Sequence, residues 1–263
     1  NRANGVELWV ADTASARARS VSAASINALG GCNWLQDSAA MLCHFVVSGR
    51  GPAPAPPAVP TGPRIQENIG RAAPAPTFQD LLTSAHDEAL FEHYFTSQLA
   101  TVTPAGARTP IGRPAIFAAA TMSPDGQFVL VARIKRPFSR LVTASGFARD
   151  FEIWSRKGDL VRAIGEQPLA ENVPIGGVVT GPRSHRWNPT MPATLLWVEA
   201  LDDGDSRNQV PARDKVMSLA ATLSGAPAEF ARTAFRFTNV SWTEKGIALL
   251  TESDRATRVT RTW

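Results

Sequence analysis

"MSPDGQFVLVARI", residues 122–134, sets three turn-forming residues in succession just ahead of an unbroken apolar run. Pro124 fixes its φ, the Asp125 side chain hydrogen-bonds its own backbone, and Gly126 takes a positive φ without steric cost. Phe128–Val131 is too apolar for a surface strand. The stretch is therefore a β-hairpin, and the fold turns on whether it stands alone.

It does not. "WLQDSAAML" (34–42), "MSPDGQFVL" (122–130) and "WTEKGIALL" (242–250) each open on a large apolar residue, carry a polar turn and resume as an apolar strand. "WNPTMPATLLWV" (187–198) is a looser fourth copy with a longer turn. Before and between them lie "VELWVAD" (6–12), "FEIWSRKGDLVRAI" (151–164) and "DKVMSLAATL" (214–223), each an apolar strand, often followed by a turn and a second strand. Hairpin alternating with strand pair gives four antiparallel strands per unit, the layout of a β-propeller blade. The copies are spaced more widely than the usual ~40–50 residues per blade, so loops must be inserted. The expected fold is all-β, a partial propeller of about four four-stranded blades, because closed propellers commonly use about six to eight. Residues 1–263 read as one part of that propeller, with the first and last blades cut, since "VELWVAD" and "RVTRTW" place strands at the two ends.

The main insertion is "SGRGPAPAPPAVPTGPR" (48–64), whose prolines at 52, 54, 56, 57, 60 and 63 cannot join a sheet interior. It belongs to an insertion at about 48–76 within one blade, extended and polyproline-like. "TFQDLLTSAHDEALFEHYFTSQLATV" (77–102) then reads as a short helix giving way to a strand at about Tyr94–Val102.

Twenty-seven Lys and Arg against 23 Asp and Glu leave a net charge of only +4. The basic clusters are "RIKRPFSR" (133–140) and "RATRVTR" (255–261), without the dense basic face and stacking aromatics of a nucleic-acid binder. No nucleic-acid partner is expected. No membrane is expected either, because no apolar run approaches the roughly 20 residues of a transmembrane helix, and "NRANGVELWVAD" lacks the charged-then-apolar order of a signal peptide.

The two cysteines, Cys32 and Cys43, flank a turn. A two-residue turn at Asp37-Ser38 sets them opposite each other, in reach of a disulfide and suggestive of an oxidising compartment. A three-residue bulged loop sends them to opposite faces and leaves two buried free thiols, the plainer outcome for adjacent strands.

"GPRIQENIGRAAPAPTFQDLLTSAHDEALFEHYFTSQLATV" (62–102), "RPFSRLV" (136–142), "FEIWSRKGDLV" (151–161), "PATLLWVEALDDGD" (192–205) and "TRVTRTW" (257–263) resemble, in order, the amino-terminal propeller of glutamyl endopeptidase-type enzymes of the prolyl oligopeptidase family. The resemblance implies a serine peptidase in which a propeller gates an α/β-hydrolase domain of the same polypeptide. That domain would carry the Ser, Asp, His triad, and cleavage would follow acidic residues, mainly Glu. It also leans towards a periplasmic or secreted location. The nucleophile elbow G-x-S-x-G occurs nowhere in the chain, so no catalytic residue is assigned, and the chain alone is expected to be inactive. The competing expectation is a non-enzymatic propeller that binds a protein or peptide, although the WD dipeptide of such repeats is missing.

No cofactor or metal is expected. His86 and His93, with Asp87, Glu88 and Glu92 nearby, lack the spacing of a metal motif. His44 reads as a sheet histidine with a hydrogen-bond partner, and Asp12, Asp125 and Asp205 as turn caps. The Trp residues at 9, 34, 154, 187, 197, 242 and 263 read as blade packing. A peptide carboxylate needs a compensating cation when desolvated. The candidates are Lys135, Arg136 and Arg140, which follow a predicted inner strand and should emerge at one mouth of the propeller, and Arg186 beside Trp187.

Overall fold

A computed structural model describes residues 5–22, 24–27, 29–59, 62, 78–220 and 223–263. Most of the Pro-rich insertion's second half therefore lies outside the described residues. Strands β1 (Trp9–Asp12) and β2 (Arg17–Ser20) form a leading hairpin. A meander follows of β3 (Cys32–Trp34), β4 (Met41–Val46), β5 (Thr96–Val102) and the 15-residue β6 (Arg108–Met122). The long strand β6 serves two sheets: Arg108–Ile116 pairs with β5, and Phe117–Met122 pairs with β7 (Phe128–Ile134). β8 (Arg149–Ser155) and β9 (Leu160–Gln167) complete the second meander. The third sheet is β10 (Arg183–Trp187), β11 (Leu195–Ala200), β12 (Asp214–Leu219) and β13 (Ala228–Thr233). The fourth holds β14 (Arg236–Trp242), β15 (Ala248–Asp254) and β16 (Val259–Thr262). All pairings are antiparallel and no described sheet closes on itself.

The four sequence repeats occupy one position in this architecture. Trp34 pairs with Met41, Met122 with Val129, Trp187 with Leu195 and Trp242 with Ala248, each across the first hairpin of its sheet. The turns share their internal bonds too: Ser38 N–H donates to Leu35, Gly126 to Ser123 and Gly246 to Thr243. Ser38, Gly126 and Gly246 all carry φ between 57° and 78°. Three of the tips also meet. Gln36 Nε2 donates to the Pro189 carbonyl at 3.1 Å, and Asp125 N–H to Pro192 at 2.9 Å.

Alternation along the second strand of each sheet builds the core. Val129 and Val131 face Leu42, Leu99 and Ile111 of the first meander, while Leu130 faces Leu195 and Trp197 of the third sheet. Leu196 and Val198, on the other face of β11, pack on Phe237, Val240 and Leu250 of the fourth. Each internal sheet is thus buried on both faces, which is why its central strand is unbroken apolar sequence. Burial of the tryptophans is less uniform than repeat packing implies. Trp154, Trp187 and Trp197 are buried, but Trp9, Trp34 and Trp263 are about half exposed. Trp187 covers the preceding sheet and donates its indole N–H to Thr121, whereas the β1–β2 hairpin packs on Met41, Cys43 and Phe45 and leaves Trp34 uncovered.

Cys32 and Cys43 are direct register partners, and their sulfurs are joined. The register is the one a two-residue turn produces, although the loop spans Leu35–Ala40, so the opposite-face arrangement with free thiols is corrected. The helix is longer than its sequence signal. α1 (Ala85–Phe95) runs past Tyr94 directly into β5, started by a capping box in which Asp87 N–H donates to Ser84 Oγ and Asp87 accepts from Ser84 N–H.

Candidate functional site

In an antiparallel meander, successive connections lie at alternate ends. The repeated hairpins occupy one end of the sheets. The β4–β5, β7–β8, β11–β12 and β15–β16 connections and the crossings between sheets occupy the other. Contacts among these connections make that loop end continuous. α1, inside the β4–β5 connection, buries Phe91 against Phe138, Val142 and Phe147 of the β7–β8 loop.

Three of the predicted cations, Lys135, Arg136 and Arg140, stand at this end, each facing carboxylates. Arg140 Nη2 lies 2.8 Å from Glu88 Oε1, Arg136 Nη1 3.1 Å from Glu88 Oε2, and Arg136 Nη2 2.8 Å from Glu92. Lys135 Nζ sits 2.7 Å from both Asp150 and Glu166. The hydrogen bond from Arg140 holds the Glu88 carboxyl below its ordinary range, and the bond to Asp150, then that to Glu166, raises the Lys135 ammonium above its own. The fourth cation is elsewhere. Arg186 comes at the far end of β10, pairs with Leu196 beside a repeated hairpin, donates to Asn239 Oδ1 at 2.7 Å, and has its pKa lowered by burial. The predicted group therefore divides between the two ends of the sheets.

Two features at the loop end were not read from the sequence. One is a buried ion network between the third and fourth sheets. Arg236 donates to Asp202 at 2.6 Å and to Asp214 at 2.8 Å, Arg213 donates to Asp202 at 2.9 Å, and both aspartate side chains are fully buried. Burial alone would raise the Asp202 carboxyl, but the bonds from Arg236 and Arg213 outweigh it and hold it low. The aspartates lie 12 residues apart around a loop, so nothing local in the sequence couples them. The other is a pair of adjoining cavities meeting at Arg255, one of about 330 Å³ and one of about 890 Å³. Arg255 belongs to a basic cluster that composition alone assigns to solvent.

His44, by contrast, sits where its sequence context puts it. It is buried in β4 with Nδ1 3.2 Å from Ser97 Oγ, and burial lowers its pKa. His185 was passed over in the sequence. Its ring stacks on Phe151 at 3.9 Å, both nitrogens are buried without a hydrogen-bond partner among the described residues, and burial lowers its pKa to about 3.

Taken together, these elements define an all-β protein of repeated antiparallel sheets stacked in chain order, with three of the four predicted cations on the connections at one end. Along its whole length it is homologous to part of two larger proteins. It is 37% identical over 272 residues to the probable glutamyl endopeptidase, chloroplastic, of Oryza sativa subsp. japonica, covering 100% of this chain and 29% of that protein. It is 35% identical over 264 residues to the protein of the same name in Arabidopsis thaliana, covering 97% of this chain and 27% of that protein. The chain thus spans less than a third of the curated relatives it matches. No family model matches it. Among solved structures, the tricorn protease superposes with a TM-score of 0.44 at 9% identity over 98% of this chain and 25% of that one, a likeness too slight to bear on fold or function.

Proposed function

We propose that the chain is part of the β-propeller of a glutamyl endopeptidase-type serine peptidase of the prolyl oligopeptidase family, gating and selecting peptides for a triad in an α/β-hydrolase domain of the same polypeptide. The observation that carries this reading is the 35–37% identity to two proteins named as glutamyl endopeptidases, covering 97–100% of the chain. Sheets stacked in order on alternating faces, with repeated hairpins tied together at one end, are what blades around an axis require. The four units then correspond to about four blades, more than which a closed propeller commonly has.

In this reading the reaction is acyl transfer to water: a serine of the hydrolase domain attacks the peptide carbonyl, a histidine takes its proton and returns it to the leaving amine, and backbone N–H groups hold the oxyanion. The present chain supplies no group to those steps. Its part is to admit extended peptides and to receive acidic side chains at the loop end, where Lys135, Arg136 and Arg140 lie. The joined Cys32 and Cys43 fit an oxidising compartment outside the cytosol, periplasmic or extracellular.

The test is to treat the native parent polypeptide with a fluorophosphonate probe and read the mass of the labelled species. Label on a polypeptide that contains these peptides and far exceeds 28.2 kDa is the expected result. Absence of label on folded parent protein overturns the peptidase assignment in favour of a propeller that only binds.

A further inference from the structure

Most arginines at the loop end have a partner carboxylate. Arg133 has Glu152, Arg136 and Arg140 have Glu88, Arg207 has Asp205, and Arg213 and Arg236 share Asp202. Arg255, in the β15–β16 turn, has no carboxylate partner among the described residues. Its neighbour Asp254 is spent on the turn itself, accepting from Ala256 N–H and from the Thr257 N–H and hydroxyl.

Arg255 also stands at a junction. On one side is the cavity of about 330 Å³, walled by Phe78, Val142, Ala170, Val173 and Ile175. On the other is the cleft of about 890 Å³, walled by Arg213, Phe235, Arg236 and Asp254. Ile175, Gly176 and Arg255 line both. Gly176 has φ of 78°, and a Cβ there would stand 3.5 Å from Arg255 Nη1, so the guanidinium lies across a loop kept low by the glycine. Three different sheets contribute the walls, through the β7–β8, β9–β10 and β15–β16 connections.

We infer that this junction is a peptide subsite: Arg255 binds a carboxylate of an extended peptide while an adjacent apolar side chain enters the pocket beside Ile175 and Val142. The inference rests on the peptidase reading for the presence of peptides, and deepens it by naming where they are held. Arg255 is exposed, so its guanidinium, with no carboxylate partner among the described residues, is open to an incoming carboxylate, which matches its planar fork. The apolar wall calls for a hydrophobic group covalently next to that anion, which a free inorganic anion does not have. The pocket has the size of a small ligand site, at the low end of the usual ~300–1,000 Å³. A cleft open on both sides of Arg255 lets a chain enter from one cavity and leave by the other. The fork at Arg136 and Arg140 is already filled by Glu88, so Arg255, which also borders the apolar pocket, is the better acceptor for an incoming acid.

The test uses the native polypeptide that carries the chain, treated with fluorophosphonate so that bound peptide is not cut. Fluorescence anisotropy is read with two labelled peptides, Gly-Ser-Leu-Glu-Ser-Gly and its Gln counterpart. The Glu peptide is expected to bind more tightly, Arg255→Gln to weaken it by about tenfold and bring it level with the Gln peptide, which corresponds to about 1.4 kcal/mol. Ile175→Ala, at an exposed side chain of the apolar wall, is expected to weaken both peptides alike. Binding that survives Arg255→Gln but falls with Arg136→Gln or Arg140→Gln overturns this subsite. Absence of binding by the wild-type protein overturns it as well. In either case the fluorophosphonate label reports separately on whether the parent is a peptidase.

Discussion

Glu88 Oε1 on α1 lies 2.8 Å from Arg140 Nη2 on the β7–β8 loop, and the same carboxylate also receives Arg136 at 3.1 Å. Two residues of a basic run that resembles a substrate contact thereby act as ties that hold a helix. The ties reinforce the aromatic contact beneath them, where Phe91 stacks against Phe95 and meets Phe138 and Phe147 edge-on. Both arginines are nearly half exposed, so each pair should be weak, about 0.2–1 kcal/mol in a double-mutant cycle of Glu88→Gln with Arg140→Ala. The expected signature is faster amide exchange confined to Ala85–Phe95 with the rest of the protein unchanged. Coupling near zero would mean that the aromatic cluster alone seats the helix. In the parent polypeptide, Arg136→Ala or Arg140→Ala should leave any preference for Glu over Gln peptides unchanged, because Glu88 and Glu92 fill the fork; a lowered ratio in a peptide-cleavage assay would show that the fork exchanges Glu88 for substrate.

Gly158, in the β8–β9 turn, faces Gly112 in β6 so closely that a Cβ on Gly158 would stand 2.0 Å from the Gly112 backbone. Gly112 N–H already donates to the Lys157 carbonyl at 3.1 Å, and Gly158 has φ of 91°. Backbone cannot rotate away as a side chain can. Gly158→Ala should therefore cost at least about 1–3 kcal/mol, through overpacking and the positive φ together, seen as a lower denaturation midpoint. A stability within a few tenths of wild type would show that the β8–β9 turn moves away from β6 at little cost.

Asp214 anchors the border of the third and fourth sheets. Its Oδ1 receives Arg236 at 2.8 Å and its Oδ2 receives the Phe237 N–H at 2.7 Å, with Arg183 Nη2 also 2.7 Å away. Asp214→Ala leaves Arg236 and Arg183 facing a buried void and should destabilise the chain by about 3–5 kcal/mol. The partner Asp202 gives the effect a pH sign. Its folded pKa is held below the unfolded one by Arg236 and Arg213, so its contribution is complete above the carboxylate range and is lost as pH falls through the folded value. Asp202→Asn should abolish that acid-side loss and lower stability at neutral pH. Equal stability of the variant and wild type at pH 7 would refute the network's role.

The repeats were legible because a turn followed by an apolar strand is a local pattern, and Trp34, Met122, Trp187 and Trp242 do fall on equivalent positions. Strand alternation made Val129–Val131 legible as interior. What sequence could not supply is what lies across space. Glu88 and Arg140 are 52 residues apart, and only the fold shows that the arginine's charge is already answered. Arg186 is akin to Arg136 by charge, yet the direction of β10 carries it to the opposite end. A local signal does mark the helix start: Ser84 with Asp87 three residues later is a capping box, and it fixes the beginning of α1 to the residue. Arg255 was legible as basic but not as unpaired, since pairing depends on where every nearby acid spends its oxygens.

His185 supplies the last prediction, because its window of pH differs from that of the aspartates. The ring is stacked between Phe151 of the second sheet and Trp197 of the third, with no acceptor for either ring N–H among the described residues, so the buried form is neutral. Glu199 is the nearby charge that favours protonation, but it is engaged by Trp197 and by Lys215 and does not offset burial. With a folded pKa of about 3 against 6.5 unfolded, the unfolded chain binds a proton first. Stability is therefore full above pH 6.5 and falls as pH drops from there towards about 3, by up to about 4–5 kcal/mol in total. His185→Phe keeps the stack and removes the proton, so its stability should be flat between pH 6.5 and 4.5 while the wild type declines. Parallel pH curves for the two proteins would place the acid sensitivity elsewhere and show that water reaches the ring.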